Sequence, residues 1–193
     1  MLREVRRDPV AGIPVLLALA VLLCGTTWFT VRSFVEGRVV LGIAGVVVLV
    51  VLAVCCGGFF MIAPNEAQVL QLFGRYVGTA HAPGLRWANP FFTKRKVSLR
   101  VRNFETAKLK VNDNHGNPIE IGTVVVWKVF DTAEAVFEVD DYSHFVHVQS
   151  EAALRSLATG YPYDSHGSDE MSLTGNTSDV SEQLKLEIQE RLG

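Results

Sequence analysis

The sequence predicts an α+β fold: two N-terminal transmembrane helices, then a mostly antiparallel sheet with its helices gathered in the C-terminal half. Three observations carry that prediction. The first 62 residues contain two long runs without a charge, the middle of the chain alternates apolar and polar residues with period two, and from Asp131 onward apolar residues recur at helical spacing. Strands followed by helices make an α+β domain rather than an alternating α/β one, and no internal repeat breaks the order.

Residues 1–9, with Arg3, Arg6 and Arg7, read as a cytoplasmic N-terminal tail. From Val10 to Val31 there are 22 uncharged residues, and from Val39 to Ile62 there are 24. A helix needs roughly 20 to cross the ~30 Å hydrocarbon core, so both runs can span. Pro14 falls in the first turns of the first run, where a missing N–H matters least. Residues 32–38 are too few to form a domain, which makes the pair a hairpin with both ends on one side. A cleaved signal peptide is the alternative for the first run, but a signal's apolar region is about 7 to 15 residues, and this run is longer and lacks a small-x-small cleavage site. Arg3, Arg6, Arg7 and a basic block after the second run outweigh Arg32 and Arg38 in the turn. The expectation is a multi-pass protein of the cell membrane with its C-terminal domain in the cytoplasm. Cys24, Cys55 and Cys56 all lie in the apolar runs without the spacing of a disulfide framework or a zinc site. They read as small apolar residues of a helix, with S-acylation of Cys55 or Cys56 as the alternative.

The remaining residues, 63–193, read as one domain. "EAQVLQLFGRYVGT" alternates loosely and breaks at Gly74 and Gly78, giving a strand and a turn. Pro83 to Phe91 reads as a further turn. In "KVSLRVR", Val97, Leu99 and Val101 alternate with Lys96, Ser98, Arg100 and Arg102, so the expected strand buries the first set and solvates the second. A strand over residues 107–112 follows, then the turn "NDNHGNP", then a long strand "IEIGTVVVWKV". The centre of that strand, Val124 to Trp127, is apolar on both faces and is expected inside the sheet. Asp131 or Thr132 caps a short helix through Val139. Tyr142 to Thr159 forms a longer helix with Phe145, Val148, Ala152 and Leu157 on its apolar side and Gly160 as its stop. Residues 160–177 read as loop. The last helix starts near Ser178, with Val180, Leu184, Ile188 and Leu192 at four-residue steps and Glu187–Arg191 as an i,i+4 pair.

Charge divides this domain. Residues 63–112 carry nine Lys or Arg against Glu66 and Glu105, a net +7, whereas residues 113–193 carry four basic and fifteen acidic residues, a net −11. The whole chain, at −2, hides that gradient. Trp87, Phe91 and Phe92 stand beside Lys94, Arg95 and Lys96, a combination that superficially resembles a platform for single-stranded nucleic acid. These residues lie about 30 positions after a membrane segment, however, where anionic lipid is the nearest polyanion. The six are therefore expected at the membrane surface, with no nucleic-acid partner. Two alternatives stay open: a plain solvated strand face, and aromatics packed beneath the sheet rather than dipping into the interface. His144, His147 and Glu151 share one helix face at i, i+3 and i+7, a weak metal signal that reads better as a solvated face. His81, His115 and His166 sit in turn-like contexts, and Asp140 and Asp141 are most simply the cap of the helix that follows them. No nucleophile elbow or glycine-rich phosphate loop is present, so no catalytic residue, metal or cofactor is assigned.

The segment "IAPNEAQVLQLFGRYVGTAHAPGLRWANPF" resembles the opening of the SPFH or band 7 family of stomatins, prohibitins and flotillins, with its signature at Pro83, Gly84, Leu85, Pro90 and Phe91. "KVNDNHGNPIEIGTVVVWKVFD" is similar to that family's central hairpin, and "SEAALRSLA" to its Ala-Leu-Arg helix at Ala153, Leu154 and Arg155. The resemblance implies a non-enzymatic scaffold that assembles into a large homo-oligomer on the membrane, organises microdomains and regulates a membrane protease or channel. A membrane-anchored hydrolase subunit and a monomeric lipid-binding module are the competing expectations. Two departures stand out: many relatives carry one membrane segment or a wedge instead of two crossings, and the family continues into a long coiled coil where this sequence stops at Gly193. The sequence is accordingly expected to be a fragment short of that helix, or to assemble through the domain alone.

Overall fold

A computed structural model describes residues 4–164 and 172–192. The chain divides into two compact units, Met1–Arg100 with Val129–Val136, and Val101–Lys128 with Phe137–Gly193.

The first unit begins with a segment docked along its sheet. The Thr79 amide donates to Val5 O and the Arg7 amide to Thr79 O, both at 2.9 Å. Glu4 anchors the segment: its Oε2 accepts from the Thr132 amide and hydroxyl, each at 2.9 Å, and its Oε1 meets His81 Nε2. Burial alone would raise the Glu4 pKa, but the bonds from Thr132 and His81 outweigh it and hold the carboxyl below its usual range. Residues 4–7 of the expected tail are thus part of the fold.

β1 (Val10–Ala11) leads into helix α1 (Gly12–Val35), and a three-residue turn connects α1 to α2 (Val39–Cys56). Both helices are long and apolar enough to cross a membrane. Their seam is built on small residues. Gly42 lies under the Phe34 ring, 2.7 Å from where a Cβ would stand, and Gly45 faces Thr30, so the two backbones approach closely. Arg32 Nε pairs with Glu36 Oε1 at 2.8 Å and stacks 5.4 Å from the Trp28 ring, which extends α1 four residues beyond the expected Val31 and shortens the turn. The second apolar run also differs from expectation. Its helix ends at Cys56, Gly57 and Gly58 turn the chain, and Phe59–Ile62 form strand β2. The apolar residues after the glycine pair belong to the domain.

β3 (Glu66–Leu72), β4 (Arg75–Ala80) and β6 (Phe92–Ser98) form one antiparallel sheet in the order β4-β3-β6, and β5 (Gly84–Trp87) lies between β1 and β2 in another. The stretch expected as a turn from Pro83 therefore contains a strand, pairing on both edges with the residues that enter and leave the helical hairpin. The expected strand over 96–102 is displaced. β6 starts at Phe92 and stops where its partner stops, Ser98 facing Glu66, and Val101 is 64% exposed rather than buried. Ile62, Leu70 and Ala80 form the core of this unit, with Phe60 and Phe92 packed against them. Asp131 Oδ1 accepts from the amides of Ala133 and Glu134, capping α3 (Thr132–Phe137), which is two residues shorter than expected.

The second unit contains two ribbons, β7 (Arg102–Glu105) with β10 (Val124–Trp127), and β8 (Leu109–Asn112) with β9 (Pro118–Ile121). The long strand expected over 119–129 breaks at Gly122 and Thr123. There Thr106 and Thr123 exchange hydrogen bonds, Thr106 N to Thr123 O and Thr123 N to Thr106 Oγ1, both at 2.9 Å, as the chain passes between ribbons. The expectation that Val124 to Trp127 lies inside a sheet is also overturned: Val124 is 58% and Val126 65% exposed. Alternate residues of a two-stranded ribbon face opposite ways, and only Val125 and Trp127 lie on its covered face.

Helix α4 (Tyr142–Gly160) is capped by Asp141, whose side chain accepts from the amides of Ser143 and His144. Its buried face is Val146, Ser150, Ala153, Leu154, Leu157 and Ala158. Of the expected apolar face only Leu157 is buried, and Val148 is exposed. The helix is thus turned from the orientation expected, toward the stripe of smaller residues that lets it sit close to its neighbours. It also runs through Gly160. Ala153, Leu154 and Leu157 pack with Leu173 and with Leu184 and Ile188 of α5 (Thr177–Leu192), against Leu109, Ile119 and Ile121. Glu187 and Arg191 pair at 2.8 Å, as their spacing predicts. His166 lies outside the described residues.

Candidate membrane-contact site

The end of an apolar helix leaves its last carbonyls without intrahelical partners. At the end of α2, side chains and backbone of the following domain supply them. Trp87 Nε1 donates to Cys55 O at 2.9 Å, Lys94 Nζ to Gly57 O at 3.3 Å, and the Ala88 amide to Gly58 O at 3.1 Å. Gly58 permits this approach, because a Cβ there would stand 2.6 Å from Trp87 Nε1 and would also strike Ala88 O. Pro90 packs beside Gly57. The helix therefore ends in direct contact with the loop between β5 and β6, with no free linker.

The six expected contact residues separate in this geometry. Trp87 is half-buried with its indole at the helix end, and Phe92 is half-buried against the Ile62–Leu70–Ala80 core. Lys94 lies 5.0 Å from the centre of the Phe60 ring, and burial lowers its pKa below the ordinary lysine value. A cation over the last carbonyls complements the negative end of the helix dipole. Arg95 and Lys96 are exposed, and Phe91 is 61% exposed at the tip of its turn. That turn is closed by Asn89, whose Oδ1 accepts from the Phe91 amide at 3.0 Å and whose carbonyl accepts from the Phe92 amide.

The signature residues serve the same junction. Gly84 has φ +104°, a conformation that favours glycine, and Leu85 packs against Gly12 at the start of α1. The carbonyl of exposed Pro83 accepts from Arg86 Nη2 at 3.3 Å, while Arg86 Nε donates to Ala82 O. Arg86 is thereby a buttress of the loop, a role that its place in a basic segment did not reveal. Ala153 and Leu154 belong to the core of the second unit, and Arg155 is exposed. Sequence reasoning also missed the caps on Cys55 and Gly57. The Gly57–Gly58 pair was the signal available, since paired glycines in an apolar run mark a helix end.

Other candidates are structural in their contacts. His147 stacks on Phe104 at 4.6 Å and lies 3.7 Å from Glu151, while His144 is exposed. No three His, Cys, Asp or Glu side chains converge as a metal site among the described residues. Asp113 is buried. Burial pushes its pKa up, but bonds from the Asn117 side chain and from the amides of Asn117, Tyr163 and His115 prevail and bring it to about 2. This carboxylate holds a turn.

Comparison with known proteins agrees with the architecture. The family model described as SPFH domain / Band 7 family matches residues 60–193. A stomatin homolog of Pyrococcus horikoshii is 27% identical over 116 residues, 60% of this chain and 43% of that protein. A stomatin homolog of Pyrococcus abyssi is 27% identical over 113 residues, 58% of this chain and 42% of that protein. An uncharacterized protein of Archaeoglobus fulgidus is 31% identical over 93 residues, 48% of this chain and 37% of that protein. The chain spans less than half the length of each of these relatives.

Proposed function

Because the chain belongs to the SPFH domain / Band 7 family, we propose that it is a non-enzymatic membrane scaffold, assembling into a large homo-oligomer that organises the surrounding bilayer and regulates a membrane protease or channel. Family membership and two stomatin homologs among its relatives support the scaffold-type role. The observation that carries this reading is the capped end of α2. A domain hydrogen-bonded to the last turn of a membrane helix and to the glycine pair that ends it, rather than joined through a flexible linker, stands at a set distance from the bilayer, as a scaffold requires.

The same junction supports a topology. β1 and β2 flank the single strand β5, so the two roots of the helical hairpin share one side of the membrane. Arginines before α1 and the basic block after α2 favour the cytoplasm for that side. Arg95 and Lys96, exposed on opposite faces of β6, then contribute ~1 kcal/mol each where they reach anionic headgroups of the inner leaflet, while Phe91 reaches the interface.

Purification of the full gene product in mild detergent tests the assembly, and a purely monomeric species by mass photometry overturns it. A reporter active only in the cytoplasm, fused to Gly193, tests the topology, and a silent fusion overturns that part. For the lipid contact, replacing Arg95 and Lys96 with glutamine is expected to reduce the salt-sensitive protection of β6 amides in phosphatidylglycerol-containing nanodiscs. Unchanged protection assigns both side chains to solvent.

A further inference from the structure

The sheet end that carries Phe91 presents a second exposed aromatic. β3 and β4 are joined by a two-residue loop, Phe73–Gly74, with Leu72 paired to Arg75. Phe73 has φ +49° and Gly74 φ +83°, the positive pair of a type I′ hairpin turn. Asparagine or glycine suits the first of these positions, whereas a phenylalanine is strained there and, at 85% exposed, gains no packing in return.

Position supplies the reason. Leu72 also pairs with Phe92 on β6, so Phe73 continues past the same end of the sheet as Phe91. That end adjoins α2, where Lys94 bonds Gly57 O and Pro90 packs beside Gly57. Arg75, next to the tip, is exposed as well.

We infer that the Phe73–Gly74 tip is a second membrane foot, which dips the Phe73 ring into the interfacial layer of the leaflet that receives α2 and works with Phe91. The partner is the lipid surface itself. An apolar side chain buried ~5–10 Å into the headgroup and acyl boundary is stabilised there, which accounts for a phenylalanine retained at a strained, solvated turn. Together with the two roots of the helical hairpin, the two tips set the tilt of the sheet as well as its height. This inference rests on the proposed lipid contact at Phe91.

The experiment uses the full chain with Cys24, Cys55 and Cys56 replaced by alanine and a fluorescent probe at Phe73→Cys, Phe91→Cys or Arg100→Cys. Each protein is reconstituted in phosphatidylcholine–phosphatidylglycerol vesicles with a nitroxide near the top of the acyl chain. Quenching at positions 73 and 91 is expected to exceed that at position 100 by about twofold or more, the depth of an interfacial side chain. Quenching at 91 without 73 overturns the hairpin foot and leaves the Phe91 contact standing, whereas quenching at neither overturns both. Because a labelled cysteine can disturb the turn, hydrogen exchange of the Leu72 to Arg75 amides provides a second measurement. They are expected to be slower in vesicles than in detergent for the wild-type residue, and the difference should vanish in Phe73→Asn. An equal difference in both proteins overturns the inference.

Discussion

Two β-hairpins of this molecule close their turns in opposite ways. The turn between β8 and β9 is polar and satisfied from within. Asp113 accepts from the amides of His115 and Asn117 at 3.0 and 2.7 Å and from Asn117 Nδ2 at 3.1 Å, and binds Tyr163 N besides. The turn between β3 and β4 has two residues, a strained phenylalanine and a glycine, and the ring stands in the open. The first turn is complete as a piece of one folded chain. The second is explained only by something outside it, and it adjoins a helix fit to enter a bilayer.

Substitution at Asp113 is the largest test of that contrast. Asp113→Ala leaves four donors without their shared acceptor, and the melting temperature of the detergent-solubilised protein should fall on the order of 5 °C. A fall of under a degree would mean that solvent replaces the carboxylate without cost. Next, Gly74→Val places a β-branched side chain at φ +83°, and a loss of ~1–2 kcal/mol is expected by denaturant titration. Phe73→Asn has the opposite sign: relief of turn strain should stabilise the protein in detergent by up to ~1 kcal/mol. Destabilisation there would show that the ring packs within the protein, and the contrast between the turns would fail.

Acid gives the smallest effect and the most specific one. The folded pKa of Asp113, about 2, is below its unfolded value, so its contribution is complete above about pH 4 and is lost as pH falls through the folded value. Glu4, also depressed, follows the same sign, and the N-terminal segment should loosen only in acid. Hydrogen exchange of the Thr79 and Asn117 amides across pH 2 to 5 reads both, while the Phe73 turn, which has no carboxylate, should not respond.

Much of this could be read in advance where one residue type decides the outcome locally. The presence of two long apolar helices, the caps at Asp131 and Asp141, the hairpin break at Gly74 and the Leu184–Ile188 face of α5 each follow from composition, hydrogen-bonding groups or spacing in a few neighbouring positions. The misreadings share a different cause. Val124 and Val126 have the composition of a buried strand, yet burial depends on what covers each face, and a two-stranded ribbon has one covered face. The expected face of α4 failed in the same way, since period selects a helix but its neighbours select which side is buried.

The lipid-facing candidates show the boundary most clearly. Composition identified an aromatic and basic segment after a membrane span. Only the fold could send Trp87 and Lys94 to the carbonyls ending α2, bury Phe92 in the core, leave Phe91 exposed and bring the distant Phe73 to the same end of the sheet. What the amino-acid sequence determined by itself was apolar length, alternation and charge, because these act between near neighbours along the chain. What tertiary structure decided was which side chains are consumed in satisfying the chain's own backbone groups and core, and that follows from pairings between residues as far apart as Glu4 and Thr132.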